Sequence, residues 1–355
     1  MSRSILIMAG GTGGHVFPGL AVADEMRARG WRVVWLGTEG GMEQRLVPAR
    51  GYDMELIRFS GVRGKGLLPW LLLPLRLLVA FWQSAAAIFR RRPDVALGLG
   101  GYPAFPGGMM AALLGRPLAI HEQNSVAGLA NRVLAHVADR VLTAFPGALA
   151  GKNVRLTGNP VREAIAALPA PAERLAGRSG RIELLVVGGS LGAQALNAAL
   201  PRALRLIPEA ERPRVTHQAG AMHLERLRAA YAEAGVEAET VAFIEDMAAA
   251  YGRADLVVCR AGALTVAELA AAGAPSVLVP FPFAMDDHQT LNARYLAQAG
   301  AAILLPQGDL TPERLASLIR SLDRARLLAM AEAARGLAKP HATREVADIC
   351  AELAA

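Results

Sequence analysis

The sequence predicts an α/β protein built as two Rossmann-like, doubly wound parallel-sheet domains facing each other across a ligand cleft. Three observations carry that expectation. An apolar strand runs into a glycine-rich turn and then a helix twice, at Ile5–Met8 with Gly10–His15 and at Leu184–Val187 with Gly188–Ala193. Each half then repeats a second unit of the same kind: Pro93–Gly101 leads on to Gly115–Ile120, and Ala254–Gly262 leads on to Gly273–Leu278. Short apolar runs alternate with longer helical patterns throughout, which favours a parallel sheet covered on both faces.

The first half opens with strand 4–9, helix 18–29, strand 31–36 and a short strand near 53–58, then a long helix from about 67 to 91. Strand 94–98, helix 104–114, strand 117–121, helix 127–138, strand 140–143 and strand 153–156 complete it. Proline and glycine in Thr157-Gly-Asn-Pro160 stop either neighbouring element from continuing and mark the crossover. A polar lead-in with Pro169, Pro171 and the arginine-rich stretch 174–181 precedes strand 182–187. The alternation resumes with helix 193–206, strand 214–217, helix 222–234, strand 238–242, helix 246–250, strand 255–259 and helix 264–272. Strand 276–279, helix 289–299, strand 301–304 and helix 311–321 close the second half. The last helix, about 342–353, could pack on either half. The expected division is 1–160 with about 340–355 as the first domain, and 161–339 as the second.

A chain of 355 residues is long enough for two domains that each bury a core. Its two cysteines, Cys259 in an expected buried strand and Cys350 in the last helix, lack metal spacing and suggest a reducing compartment. The N-terminus reads directly into a strand, so no secretory signal is expected and the cytoplasm is the expected compartment. A net charge of +7, nearly all from arginine, makes an anionic partner plausible. Nucleic acid is disfavoured: aromatics are only 5% and no basic-aromatic run offers a stacking surface.

The stretch Leu67–Phe89 is the closest approach to a membrane segment, but Pro69, Pro74, Arg76 and Gln83 suit a spanning helix poorly. Arg76, Gln83 and Arg90 fall on one helical stripe, with Trp70, Phe81, Trp82 and Phe89 elsewhere and Arg90, Arg91 and Arg92 at the end. Two readings stay open: an amphipathic helix lying on an anionic membrane surface, and a buried core helix.

Each glycine turn brings backbone N–H groups to a helix N-terminus, where phosphate binds. The first is not a dinucleotide fingerprint, since Val16 stands where GxGxxG needs glycine; Glu39 after the second strand is what remains of a nicotinamide reading. Neither turn continues as Lys-Ser or Lys-Thr, which excludes a P-loop. The second also matches the GxSxG nucleophile elbow, with Asp255 and His288 or His341 as formal partners, but a hydrolase has one sheet and one elbow. Ser190 reads better as a hydroxyl donor beside phosphate. No Asp-x-Asp pair occurs, Asp286, Asp287 and His288 read as a polar loop, and neither a protein-bound metal nor a cofactor is expected.

Four segments in order sharpen these alternatives: Gly11-Thr-Gly-Gly-His-Val-Phe-Pro-Gly19, His121-Glu-Gln-Asn124, Gly188-Gly-Ser-Leu-Gly-Ala193 and Arg260-Ala-Gly-Ala-Leu-Thr-Val-Ala-Glu268. Together, over essentially the whole chain, they resemble glycosyltransferase family 28, the inverting N-acetylglucosaminyltransferases that convert lipid I to lipid II in bacterial peptidoglycan synthesis. The resemblance implies a GT-B fold, UDP-GlcNAc held mainly by the second domain, and lipid I (undecaprenyl-pyrophosphoryl-MurNAc-pentapeptide) held by the first. It also implies a peripheral place on the cytoplasmic face of the inner membrane, with cell-wall or division proteins as candidate partners. A different lipid or glycoside acceptor is the alternative.

Carried over by position, Ser190 faces the UDP diphosphate, Ile244 reads uracil through its backbone, and Arg162 lies near the diphosphate. Ala263, Leu264, Thr265, Val266, Ala267 and Glu268 form a helix start that meets phosphate and ribose, with Glu268 accepting the ribose hydroxyls. Gln289 resembles the glutamine that contacts the sugar, although His288 precedes it where many relatives carry glutamine. On the acceptor side, Thr12, Gly13, Gly14 and Asn124 resemble the residues that meet the sugar and diphosphate. Arg63 and Lys65, in the basic loop Ser60–Gly66, could grip the lipid pyrophosphate. His15 at the mouth of the first turn is the candidate base and Glu122 the alternative.

Overall fold

The structure is a computed structural model that describes residues 2–61, 71–189 and 192–355. It divides into two compact units: Met1–Arg162 with Pro340–Ala355, and Glu163–Lys339. The exchange between units falls after Arg162 rather than Pro160.

The first unit holds a parallel sheet of seven strands in the order β3-β2-β1-β4-β5-β6-β7. These are β1 Ser4–Met8, β2 Arg32–Thr38, β3 Asp53–Ile57, β4 Val95–Gly98, β5 Leu118–Glu122, β6 Arg140–Thr143 and β7 Val154–Leu156. The second unit holds six parallel strands in the order β10-β9-β8-β11-β12-β13. They are β8 Glu183–Val187, β9 Arg214–Gln218, β10 Glu239–Val241, β11 Leu256–Cys259, β12 Ser276–Leu278 and β13 Ala302–Leu304. The doubly wound α/β class read from the sequence is the class observed. In each unit the winding reverses beside the first strand, between β1 and β4 and between β8 and β11. Sheets wound in this way bind ligand outside the carboxyl ends of the strands, at that reversal.

Both faces of each sheet are covered, as the uninterrupted apolar strands require. In the first unit one core joins Ile5, Ile7, Trp35 and Leu97 to Val346, Ala347, Ile349 and Cys350 of the helix Ala342–Leu353. That last helix therefore belongs to the first unit, and Arg29 ties it with a 2.6 Å ion pair to Asp348. The first helix comes especially close to the sheet at Gly19, where an added Cβ would lie 2.6 Å from the Trp35 ring.

Several helices differ from the sequence reading, among them the following. The first helix spans Gly13–Ala28 rather than starting at Pro18, which sits inside it. Proline is commonest in a first turn, so it marked a start that lies a turn earlier in the fold. A helix over Arg324–Gly336 has no counterpart in the reading, and Glu43–Leu46 forms a single turn that went unread.

The helix Leu73–Arg91 turns small residues inward: Ala80, Ser84 and Ala87, with Ile88, are its buried face. Leu75, Leu78, Trp82 and Phe89 face out, Trp82 being 72% exposed. Phe81 instead packs on Phe105, their ring centres 5.9 Å apart. At the end of this helix Arg90 and Arg91 pair with Glu55 and Asp53 at 2.5–2.9 Å. Among the described residues, no helix is long and apolar enough to cross a membrane.

Candidate active site

In the first unit the loops after β1 and β4 touch. An atom added at Gly101 would fall 2.8 Å from the Gly10 carbonyl carbon, and Gly101 itself has φ 77°. Only glycine allows that approach in that conformation. Thr12 precedes the first helix in an extended conformation, and its side chain makes no capping bond. The first N–H groups of the helix, on Gly13 and Gly14, have no carbonyl within the helix and form an anion-binding end.

His15 is half-buried on the first turn. Its Nδ1 lies 3.3 Å from Thr12 Oγ1, and its Cδ2–Nε2 edge faces Gly100, within 3.0 Å of where a Cβ would stand. When Nδ1–H donates to the threonine hydroxyl, Nε2 carries a lone pair and can accept a proton.

The residues His121, Glu122, Gln123 and Asn124 end β5 and continue from it. His121 is fully buried with Nε2 2.9 Å from the Gly158 carbonyl; burial pushes its pKa down to about 4, so it stays neutral near pH 7. Both oxygens of the buried Glu122 carboxylate are taken. Oε1 accepts from the Asn124 backbone and side chain at 2.9 and 3.3 Å, and Oε2 accepts from Gly128 N–H and Asn131 Nδ2 at 3.2 and 2.8 Å. Four N–H donors leave no lone pair for a hydroxyl proton. The geometry suits a clamp that shapes the Asn124 loop better than a base.

In the second unit the turn after β8 is held by Gln218, at the end of β9. Its Oε1 accepts from the N–H groups of Gly188 and Gly189 at 3.1 and 3.2 Å, while Nε2 donates to the carbonyls of Gly189 and Ala242. Ser190 in that turn lies outside the described residues, as do Arg63 and Lys65. The helix Ala263–Ala272 follows β11 with Gly262 as its uncapped start. Ala263, Leu264, Val266 and Glu268 are buried there, while Thr265 and Ala267 are half-buried.

Tyr251 donates to Glu268 Oε2 at 3.3 Å. Gln289 Oε1 accepts the Phe281 N–H at 2.9 Å, so its amide Nε2 is the atom left to meet a hydroxyl. Arg260 holds the same loop from below, donating to the Val279 and Pro280 carbonyls and to Gln307. Ile244 is half-buried in the segment after β10.

Two placements bear on the alternatives. Arg162 belongs to the first unit, and its guanidinium lies 5.4 Å from the centre of the Phe17 ring on the first helix. Asp255, the acid a GxSxG hydrolase would need, sits before β11 at the amino end of the sheet, where it accepts the Glu183 N–H at the start of β8, whereas the Gly188 turn leaves the carboxyl end of β8. Arg178 and Arg324 bind Asp255 at 2.7 and 3.4 Å. Sequence reading passed over Gln218, Tyr251, Asn131 and Glu43, which hold the site residues from one hydrogen bond away. Nothing in their local sequence marks them, because their partners are distant in the chain.

The chain resembles known proteins along its whole length. Residues 5–143 match the glycosyltransferase family 28 N-terminal domain and residues 183–350 the family's C-terminal domain. The chain is 65% identical over 356 residues to a protein of Nitrosospira multiformis, covering 100% of both. It is also 65% identical to one of Aromatoleum aromaticum, covering 99% of this chain and 98% of that one. Both relatives are named UDP-N-acetylglucosamine–N-acetylmuramyl-(pentapeptide) pyrophosphoryl-undecaprenol N-acetylglucosamine transferase. The solved structure of Acinetobacter baumannii MurG matches with a TM-score of 0.85 and 43% identity, over 99% of each chain.

Proposed function

We propose, because the chain belongs to glycosyltransferase family 28, that it transfers N-acetylglucosamine from UDP-GlcNAc to lipid I, forming lipid II for peptidoglycan. Full-length identity to relatives named for that reaction carries the reading, and it favours this acceptor over another lipid or glycoside. The GxSxG hydrolase reading fails on the position of Asp255.

The C4 hydroxyl of the muramyl sugar attacks the anomeric carbon of UDP-α-GlcNAc. The new C–O bond is β, the bond to the diphosphate oxygen breaks, UDP departs with the electron pair, and the hydroxyl proton passes to a base. His15 Nε2 is our base. In support, His121 is buried and neutral and the Glu122 oxygens are occupied. For the donor we assign Ser190 with the Gly188 turn and Arg162 to the diphosphate, Ile244 to uracil, Ala263–Glu268 to phosphate and ribose, and Gln289 to the sugar. Thr12, Gly13, Gly14 and Asn124, with Arg63 and Lys65, are assigned to the acceptor. Negative charge grows on the leaving diphosphate, and a preorganised donor aimed at it lowers the barrier by about 2.7–4 kcal/mol.

Radiolabelled UDP-GlcNAc incubated with a lipid I analogue should yield β-linked disaccharide on the lipid. UDP release only with a lipid-free acceptor would overturn the acceptor assignment.

We further propose that the outer face of Leu73–Arg91 rests on the membrane that carries the acceptor. Leu75, Leu78, Trp82 and Phe89 form an apolar stripe, and Leu113 at the end of the neighbouring helix is also exposed. Large exposed apolar patches mark interaction surfaces. Replacing Leu75, Leu78 and Trp82 by serine should abolish flotation with anionic liposomes while leaving UDP-GlcNAc affinity unchanged. Flotation equal to the parent would refute the assignment.

A further inference from the structure

Glu43 has no part in the chemistry above, yet its carboxylate is completely buried in the first unit. It lies among glycines: an added Cβ at Gly37 would stand 2.8 Å from its Cγ, and one at Gly10 or Gly41 would overlap the carboxylate. Oε2 accepts the Gly11 N–H at 3.0 Å. Oε1 accepts both the N–H and the hydroxyl of Thr38, at 3.0 and 2.8 Å. None of these donors is cationic, so the buried carboxyl group has no ion-pair partner among its hydrogen bonds. Burial of that kind is expensive, and a carboxylate is retained only where its acceptors are needed.

We propose that Glu43 is a positioning residue for the acceptor reaction: it holds the turn Gly10–Gly14 by the Gly11 N–H and so sets where Thr12 and His15 stand. The inference rests on the reading that this turn meets the acceptor. Gln218 makes the contrast in the second unit. There the anchoring side chain must both accept from Gly188 and Gly189 and donate to two carbonyls, which an amide does. Around Glu43 every partner is a donor, so only an acceptor-only group satisfies all three. Glutamine in its place, with Oε1 kept on Thr38, turns an NH2 toward the Gly11 N–H. The turn is then released with no change in core volume.

The test is Glu43→Gln in the full-length enzyme. Gly11 amide exchange should accelerate about tenfold or more. The kcat/KM for a lipid I analogue should fall roughly 10- to 100-fold, the scale of a misplaced reacting group. UDP-GlcNAc affinity, carried by the other unit, should stay within about twofold, which a general loss of folding would not allow. Glu43→Asp, acceptor-only but one methylene shorter, serves if the glutamine variant does not fold, and should give the same split. Acceptor kinetics within about threefold of the parent in either folded variant overturn the proposal, as does a parallel loss of donor affinity. If the parent enzyme turns over no lipid I analogue, the functional reading fails instead, while Gly11 exchange still reports on the anchor.

Discussion

Replacing His15 by alanine should lower kcat by about 10²–10⁴, the usual worth of a positioned general base, and leave UDP-GlcNAc affinity unchanged. The reason is geometric. His15 stands on the first turn of the first helix, with Nδ1 within reach of Thr12 Oγ1 and Nε2 at the edge that faces Gly100. Its neighbours are poor substitutes: the His121 ring is sealed in the core and the Glu122 oxygens each hold two N–H groups. Removal of the base should also flatten the acid limb of the kcat profile, where protonated imidazole is inactive. Single-turnover kinetics separate this from product release. A kcat within a few-fold of the parent would show that the proton leaves by another route.

Glu268→Ala should weaken UDP-GlcNAc binding about 100-fold, the order expected when a charged acceptor of two hydroxyls is lost. Glu268 is buried near the start of the helix Ala263–Ala272, with Tyr251 donating to one of its oxygens. That hydrogen bond fixes the carboxylate's rotamer, so Tyr251→Phe should weaken binding too, by several-fold at most. Calorimetry with UDP and with its 2′-deoxy analogue gives the discriminating result. The parent should prefer the ribonucleotide, and the Glu268→Ala variant should bind both alike. Preserved discrimination in that variant would show that Glu268 does not read the ribose.

Much of this molecule can be read without coordinates, for a physical reason. Strands buried on both faces appear as unbroken apolar runs, and glycines that permit tight turns cannot be exchanged for other residues. The thirteen described strands therefore lie within a residue or two of where the sequence places them. Helix limits are less legible, because Pro18 can sit inside a helix when the local carbonyl is otherwise accommodated, and Arg324–Gly336 follows its predecessor without a glycine or proline break. The residues assigned to ligand travel in motifs and can be picked out from sequence. Residues that hold them, such as Gln218 and Tyr251, are set by partners about 17 to 30 positions away and are indistinguishable in sequence from ordinary core or surface positions. The partners of a basic run are likewise invisible locally: Arg90 and Arg91 are paired in the fold with Glu55 and Asp53, more than 30 positions away.

The return of the chain to its first unit has a consequence for biogenesis. The core beneath β1 and β4 is finished by Val346, Ala347, Ile349 and Cys350, which emerge from the ribosome only after all of Glu163–Lys339 has been made. The second unit can close while it is being synthesised; the first must wait, with part of its apolar surface bare, until the final helix arrives. A chain ended at residue 341 and released from the ribosome should therefore have a second unit that resists protease and a first unit that is a substrate for chaperones.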